Sequence, residues 1–362
     1  MNYRQILAVC AGVLTLATGV IAVRMIWFLP NSVSQGPESL PPEPSTSAPG
    51  VHFSNAGRRL SGPFSHKNLT FYLVHGDNTM TGKTPLTLEE AMERRVVIVH
   101  ETGDVNELAI ENVSSNEEVF VQAGDIVKGG QQDRVLAVDL IVPARSGRLP
   151  IDSFCVESER WTARGSESRT QFNSSAEYVP SKDLKIAAKH SKSQGEVWDK
   201  VADSQEKLSQ ATNTNAASSV SRSSLPLTLE NGKVRESVET YARVLSDIVG
   251  NKSDVIGIVM IINGEINSAD TYGSRALFIK LWPKLLKAAS IEAVSESRTD
   301  AEKKAVNPAD IESFFETVEK AEMKDPQKVT DRISMSTRES ETGLLFESTD
   351  RGTVIHRNYI WK

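Results

Sequence analysis

The strongest constraint on this chain is an uncharged apolar run close to its first residue. Residues 6–23 (ILAVCAGVLTLATGVIAV) carry no charged side chain, and after Arg24 the apolar residues continue to Leu29, just before Pro30. As an α-helix, residues 6–23 would span about 27 Å, which is close to the roughly 30 Å of hydrocarbon in a bilayer. We therefore predict one transmembrane helix that anchors the chain to a membrane through residues 6–29.

Two other interpretations of this run stay open. Ala17, Thr18 and Gly19 form a possible cleavage site for a signal peptide, and Cys10 ends a loose lipoprotein motif. A signal peptide has a shorter apolar core, and this run continues well past both positions, so an uncleaved anchor is favoured. The charges that flank it are nearly balanced, but residues 31–50 contain no lysine or arginine. That absence favours an extracytoplasmic position for the rest of the chain.

Composition divides the chain into four parts. Residues 1–30 are the anchor (or signal peptide), and residues 31–52 are rich in proline and serine without an apolar period, which predicts a disordered linker. Residues 53–299 have the composition of a globular domain. Residues 300–362 are predicted to be a helical and β extension packed on that domain.

Charge and cysteine content exclude several classes of function. The net charge is −6, and no basic cluster of the kind that contacts nucleic acid is present, so no nucleic-acid partner is predicted. Cys10 lies inside the apolar run, which leaves Cys155 as the single thiol of the remaining chain and excludes a disulfide framework there. The six histidines are scattered and no Cys/His set has the spacing of metal ligands, so no metal site is predicted.

Apolar patterning predicts a chain rich in strands. Alternating or continuous apolar runs predict strands at residues 69–75, 95–101, 105–112, 118–122, 134–142, 149–156, 328–338, 341–348 and 353–361. Residues 255–262 and 265–271 are predicted to form a hairpin, because Asn263-Gly264 between them is the preferred two-residue turn.

Helical periodicity appears mainly in the second half. Apolar residues three and four apart predict helices at residues 183–191, 196–208, 230–249, 275–294, 300–305 and 308–323. Thr87 and Glu90 have the spacing of a capping box, which predicts a short helix there, and residues 212–224 are predicted to be a mobile loop. Strands, then helices, then strands indicate the α+β class, with an antiparallel β-rich core and packed helices behind one N-terminal transmembrane helix.

A glycine-rich turn is the clearest candidate for a ligand site. Residues 124–134 read GDIVKGGQQDR, so Gly129 and Gly130 open a turn that displays Gln131, Gln132 and Arg134. Glycine-rich turns bring backbone N–H groups close to a ligand, and arginine binds phosphate or carboxylate with two hydrogen bonds. A tight turn with polar residues at its tip is the alternative interpretation. The turn is not a P-loop, because it lacks the Gly-Lys-Ser/Thr ending of that motif.

A second candidate element closes the strand at residues 149–156. Strand alternation places Cys155, Glu157 and Glu159 on one face, where a carboxylate would act in acid–base catalysis and the thiol as a less favoured nucleophile. Arg160 and Trp161 follow. Trp161 would stack on a base while an arginine holds a phosphate. A solvated strand face and a buried cysteine are the alternatives.

Several short motifs of this chain resemble those of one known domain family. They are Glu90-Ala91, Val105-Asn106-Glu107-Leu108, the turn Gly129-Gly130-Gln131-Gln132-Asp133-Arg134, the strand end Cys155-Val156-Glu157-Ser158-Glu159-Arg160-Trp161, Gln194-Gly195-Glu196-Val197-Trp198, the hairpin with Asn263-Gly264-Glu265 and the helix from Phe278 to Ala288. The family is the first ARPP type, associated with ADP-ribosylglycohydrolases and rhodanese-like phosphatases. The resemblance covers roughly residues 68–295. The family's turn commonly carries a lysine, which is absent here.

The resemblance implies a role in NAD or ADP-ribose metabolism, and it does so only through the association in the family's name. The first hypothesis is therefore a membrane-anchored module that binds an anionic or nucleotide-like ligand through Gly129, Gly130, Gln131, Gln132, Arg134, Glu157, Arg160 and Trp161. The second is a structural or protein-interaction domain of the cell envelope. In that case Arg134 and Arg160 would be buried and paired internally with Glu107, Glu157 or Asp125. The third is a hydrolase that uses Glu157 or Glu159.

Overall fold

Antiparallel strands dominate the architecture. A computed structural model of the chain describes residues 50–53, 58–250, 252–298 and 305–362. The predicted anchor, the linker up to residue 49 and most of the predicted helix at 300–305 lie outside these ranges. Within the described part of the chain, no helix is both long and apolar enough to cross a membrane.

The strands and helices have the following bounds. The strands are β1 (Gly50–Phe53), β2 (Arg59–His66), β3 (Leu69–His75), β4 (Leu86–Thr87), β5 (Val97–Glu101), β6 (Glu107–Asn112), β7 (Val119–Val121), β8 (Ile126–Gly129), β9 (Arg134–Leu136), β10 (Leu140–Val142), β11 (Arg148–Cys155), β12 (Phe172–Asn173), β13 (Val255–Ile262), β14 (Glu265–Tyr272), β15 (Met323–Lys328), β16 (Ile333–Glu339), β17 (Gly343–Asp350) and β18 (Thr353–Trp361). The α-helices are α1 (Leu88–Glu93), α2 (Lys182–Ile186), α3 (Gln194–Ala211), α4 (Leu225–Leu229), α5 (Gly232–Leu245), α6 (Arg275–Ser295) and α7 (Pro308–Lys320). A π-helix (Ala187–Ser191) follows α2, and a 3₁₀ turn (Ser246–Val249) follows α5.

Nine strands form the largest sheet. Their order is β1-β2-β3-β13-β14-β18-β17-β16-β15, and every neighbouring pair is antiparallel. β18 lies between β14 and β17, so the last strand of the chain is an interior member of this sheet. The helices pack against these antiparallel sheets, which confirms the α+β class.

Two local predictions are confirmed in detail. Asn263 and Gly264 have φ angles of 53° and 77°, as the primed turn between β13 and β14 requires. At the start of α1, the Thr87 side chain accepts from the Glu90 N–H while the Glu90 carboxylate accepts from the Thr87 N–H. Both signals depend on a few adjacent residues, which explains why they could be recognised without knowledge of the tertiary structure.

Three strand predictions are corrected. The single strand predicted at 134–142 is two strands, β9 and β10, in different sheets, because the chain bends at Val138 between them. The strand predicted at 328–338 begins later, at Ile333 as β16, because residues 329–332 connect it to β15, a strand that was not predicted. β2 and β8 were not predicted, since both have polar or glycine residues where apolar alternation would be expected.

Two smaller sheets carry the candidate motifs. Six strands in the order β12-β8-β9-β11-β6-β5 form an antiparallel sheet. A three-stranded sheet, β10-β7-β4, contains the parallel pair of β4 and β7. The strand end with Cys155 belongs to β11, and the glycine turn connects β8 to β9, so the sheet itself brings these two motifs together.

Helices cover both faces of the nine-stranded sheet. On one face α6 packs against β3, with the rings of Trp282 and Phe71 5.3 Å apart. On the other face α7 contributes Phe315, whose ring centroid lies 4.6 Å from that of Tyr359 on β18. These residues belong to two separate apolar clusters, one on each side of the sheet.

A buried ionic group lies at the centre of the domain. His356 on β18 is 1% exposed; its Nδ1 lies 2.8 Å from Asp139 Oδ2 and its Nε2 lies 3.0 Å from Asp270 Oδ1. Burial alone would lower the pKa of His356, but the two carboxylates outweigh burial and the pKa is raised. We therefore treat His356 as an imidazolium held between two carboxylates, with the ring of Tyr272 stacked on it at 4.6 Å.

Candidate functional site

Four of the motif segments, those of Val105, Arg134, Cys155 and Gln194, meet around Arg134 and Cys155. The Arg134 guanidinium donates to the carbonyl oxygen of Val105 at 2.9 Å and also contacts the Cys155 Sγ. The side-chain amide of Gln194 bonds the backbone of Cys155 twice, at 2.8 Å and 2.9 Å. Arg160 donates to the carbonyl oxygens of Gly129 and Gly130, each at 3.2 Å. Residues separated by up to a hundred positions in sequence thus form one continuous group of contacts.

The glycine turn needs both of its glycines. Gly129 and Gly130 have φ angles of 112° and 54°, in the region that side-chain-bearing residues avoid. A Cβ on Gly130 would lie 2.5 Å from Phe172 Cζ and 2.9 Å from Glu101 Oε2. The Gln131 N–H donates to the same Glu101 carboxylate at 3.2 Å. The turn is therefore packed against β5 and β12, and does not form an open loop.

We expect Gly130→Ala to lower the free energy of unfolding by about 2–4 kcal/mol, because backbone strain and overpacking each cost roughly 1–3 kcal/mol. Gly147→Ala is the matched control: its φ of 65° is similar, but nothing lies within 4 Å of its Cβ position. It should show the strain alone. Urea denaturation followed by circular dichroism would measure both. Equal losses in the two variants would contradict the close packing of Gly130.

Buried ion pairs link this turn to the strand end. Asp133 accepts two hydrogen bonds from Arg164, at 2.6 Å and 2.7 Å, and its backbone N–H donates to Glu157 at 3.0 Å. Glu157 in turn accepts two from Arg160, at 2.7 Å and 2.6 Å. The Ser224 hydroxyl donates to Asp133 at 2.7 Å. Asp133 and Glu157 are both fully buried, and each is neutralised by an arginine.

Arg134, like Glu157, is fully buried among the predicted ligand residues. Its side chain is 0% exposed, and its second terminal nitrogen lies 3.5 Å from the Glu101 carboxylate. The Trp161 ring covers it, with the guanidinium carbon 5.7 Å from the ring centroid. The Arg134 Nε has no hydrogen-bond partner among the described residues. Trp161 itself is 43% exposed, so it separates Arg134 from solvent.

The three catalytic candidates, Cys155, Glu157 and Glu159, lie in different environments. β11 ends at Cys155, and beyond it Glu157 is buried while Glu159 is exposed with a φ of 69°. The expectation that the three share one strand face was therefore wrong. Burial raises the pKa of the Cys155 thiol to about 11. For Glu157, the hydrogen bonds from Arg160 and Ser221 outweigh burial and lower its pKa, so it is held as a paired carboxylate.

Several residues of this group were missed by sequence reasoning. Glu101, Asp133 and Arg164 supply half of the charges, and Ser221 and Ser224 come from residues 212–224, which were predicted only as a mobile loop. The expected partners Glu107 and Asp125 are not used: Glu107 is exposed, and Asp125 pairs with Lys284. A sequence signal did exist for Asp133, which lies inside the quoted turn motif.

Exposed apolar side chains border this group of contacts. Trp161, Val105 and Trp198 are 43%, 41% and 38% exposed. Trp198 lies one helical turn after Gln194 on α3, so both side chains project from the same side of that helix. Together with the half-buried Gln131, these three residues form what we call the motif surface. In the described part of the chain, no set of three or more His, Cys, Asp or Glu residues is placed to hold a metal ion.

Comparison with known proteins identifies the family but no closer relative. No curated protein and no solved structure matches the chain significantly. The family model described as ARG and Rhodanese-Phosphatase-superfamily-associated Protein domain matches residues 57–360. That span includes the C-terminal strands, beyond the residues on which the resemblance was based. The chain is therefore a member of the ARPP-1 domain family.

Proposed function

We propose that this domain binds an anionic, nucleotide-like ligand related to ADP-ribose at the motif surface (Val105, Gln131, Trp161 and Trp198). One observation carries the proposal: four sequence motifs that are far apart in the chain converge on Arg134 and Cys155, directly beneath the exposed ring of Trp161. Buried motif residues are expected where a surface must be held in a fixed shape.

Each part of the group has a role in this proposal. Trp161 offers an exposed ring on which a base stacks, and the buried Arg134 guanidinium beneath it supplies positive charge without contacting the ligand. Base stacking on an aromatic side chain is worth roughly 1–3 kcal/mol. The ion pairs of Asp133, Glu157 and Arg160 then act indirectly, because they fix the turn and the strand end that carry these side chains.

A structural or protein-interaction domain is the second candidate, and a specific observation favours it. Arg134 is buried, Arg160 is half-buried, and both are paired with protein groups, as expected if the motif only stabilises the fold. The exposed Trp161, Trp198 and Val105 would then contact another protein, because aromatic residues are enriched in the centres of such interfaces. The two candidates differ in whether a small ligand binds alone.

Titration of the full chain with ADP-ribose, NAD, adenosine and inorganic phosphate tests the proposal, with tryptophan fluorescence as the readout. Trp161→Ala should weaken ADP-ribose binding by about 5- to 150-fold, whereas Trp161→Phe should retain most of it. Val244→Ala is the control, because Val244 is similarly exposed but lies on α5. If the folded wild-type chain binds none of the four compounds, the nucleotide proposal is withdrawn and the interaction domain is favoured.

We further propose that residues 6–29 anchor this domain to a membrane, with the domain on the extracytoplasmic side. The length and apolar character of that run support the anchor, and the absence of lysine and arginine from residues 31–50 supports the orientation. Carbonate extraction of membranes and protease treatment of intact cells test both statements. Release of the chain by carbonate would contradict the anchor, and protection from protease would contradict the orientation.

A further inference from the structure

A cavity lies on the face of β11 opposite the one that carries the Cys155 side chain. Its volume is about 430 Å³, within the range of roughly 300–1,000 Å³ that is usual for small-molecule sites. Phe154 and Phe346 form apolar parts of its wall, while Lys189, His190 and Lys192 supply nitrogen groups. Phe154 precedes Cys155, so strand alternation directs the two side chains to opposite faces of β11. The cavity is therefore distinct from the motif surface.

Lys189 is held in an unusual position in this cavity. It lies in the π-helix Ala187–Ser191, a widened turn of a kind that occurs frequently at functional sites. The residue is only 6% exposed, although it lines the cavity. Its Nζ donates to Asn358 Oδ1 at 2.9 Å and lies 4.3 Å from the centroid of the Phe346 ring. Asn358 is itself held by a 3.0 Å hydrogen bond to Asp270.

We propose that Lys189 is a nucleophile that forms an imine with a small aldehyde bearing a phosphate or carboxylate group. The free amine of Lys189 adds to the carbonyl carbon and forms a C–N bond, while the carbonyl electron pair moves to oxygen and takes up the proton lost by nitrogen. The carbinolamine then loses its hydroxyl group and the second N–H proton as water, which leaves a C=N bond. No oxidant or reductant is needed.

The surroundings fit both halves of such a molecule. Burial lowers the pKa of Lys189 to about 8, against the opposing effect of Asp139 and Asp270, so more of the amine is neutral near physiological pH than in an exposed lysine. His190 and Lys192 lie at the exposed rim, where the Lys192 Nζ donates to Gln327 at 3.1 Å and the His190 Nε2 lies 3.8 Å from Glu339, contacts that an incoming anionic group would replace. One Asn358 oxygen binds the Lys189 Nζ, which leaves further N–H directions of the amine uncommitted.

The chain contains a matched internal control. Lys185 is 5% exposed, lies one turn earlier on α2 and has its Nζ 5.2 Å from the Tyr178 ring, so its burial and aromatic contact resemble those of Lys189. Lys185 does not line the cavity. The proposal therefore predicts reaction at Lys189 and none at Lys185, a difference that burial or aromatic contact alone would not produce.

Reductive trapping of the full chain tests the proposal. The protein is incubated with ribose 5-phosphate or glyceraldehyde 3-phosphate, reduced with borohydride and mapped by peptide mass spectrometry. The expected result is an adduct at Lys189 at least tenfold above that at any other lysine, absent in Lys189→Met and retained in Lys185→Met. Lys192→Ala should remove the preference for the phosphorylated aldehyde over its unphosphorylated counterpart.

Two results would overturn the proposal. One is modification spread over the exposed lysines with Lys189 unmodified in the folded wild-type chain. The other is an adduct at Lys185 equal to that at Lys189. Peptide mapping of the wild-type chain decides the question even if Lys189→Met does not fold. Neither result affects the proposed nucleotide site, because that site is tested separately by Trp161→Ala.

Discussion

Replacing Arg160 with alanine is expected to lower the free energy of unfolding by about 3–5 kcal/mol, the usual loss when one partner of a buried ion pair is removed. The change would remove the two hydrogen bonds that Arg160 donates to the fully buried Glu157 carboxylate, which would keep the Ser221 hydroxyl and Arg164, at 3.5 Å, as partners. It would also remove the donors to the Gly129 and Gly130 carbonyl oxygens. Urea denaturation of the full chain at neutral pH measures the loss.

Two further variants separate charge from geometry. Arg160→Lys keeps the charge but cannot form the planar pair of hydrogen bonds, so an intermediate loss is expected. Arg235→Ala removes an exposed arginine from α5 and should change the free energy of unfolding by less than about 0.5 kcal/mol. A loss below about 1 kcal/mol for Arg160→Ala would show that solvent readily replaces Arg160, and the motif would then not be a rigid group.

Arg160→Ala also tests how the ion pairs contribute to binding. If the variant loses nucleotide affinity together with stability, the ion pairs of Arg160 support the motif surface. By contrast, Trp161→Ala should weaken binding with little effect on stability, because Trp161 is 43% exposed. The two variants together distinguish residues that hold the surface from residues that form it.

Sequence reasoning identified the candidate motifs but not the partners that surround them. Gly129, Arg134, Glu157 and Arg160 were recognisable because their segments are short and resemble a family pattern. Glu101, which pairs with Arg134, comes from another strand. Ser221, which donates to Glu157, comes from a loop. Such contacts depend on the order of strands in the sheet, which local periodicity does not specify.

The same limit applies to the fold. The hairpin around Asn263 and the capping box at Thr87 were predicted correctly, since each is encoded within a few residues. The position of β18 between β14 and β17 was not predictable in this way, because it requires pairing between residues about ninety positions apart. Individual turns and helix caps are therefore encoded by adjacent residues. The order of strands in the sheet depends on contacts between residues that are far apart in sequence.

The buried group around His356 is the clearest product of that long-range order. Asp139 comes from the turn before β10, Asp270 from β14 and His356 from β18, and all three are at most 3% exposed. Asp139 also accepts hydrogen bonds from the Ser348 hydroxyl at 2.7 Å and the Ala123 N–H at 2.7 Å. Three separately predicted regions of the chain thus meet at one imidazolium.

We expect Asp139→Asn to lower the free energy of unfolding by about 3–5 kcal/mol near pH 6, because it removes one of the two carboxylates that pair with a buried cation. It should also change the pH dependence. The pKa of His356 is raised in the folded chain, so its contribution is complete below the unfolded value of about 6.5 and is lost as pH rises through the folded value. The wild-type chain should therefore lose this contribution above pH 6.5, and the variant should show a smaller loss over the same window.

Denaturation by urea at pH 5.5, 6.5 and 7.5 measures this difference. The series ends at pH 7.5 because the pKa of Lys189 is lowered to about 8, so this residue deprotonates at higher pH. Its effect on the pH dependence of stability has the opposite sign to that of His356. Asp77→Asn is the control, since Asp77 is exposed, and its pH dependence should follow that of the wild-type chain. If Asp139→Asn instead has the same stability and the same pH dependence as the wild-type chain, His356 is neutral in the folded state. The two carboxylates would then be buried without a cation between them, a much costlier arrangement that the strand order of the sheet would have to sustain by itself.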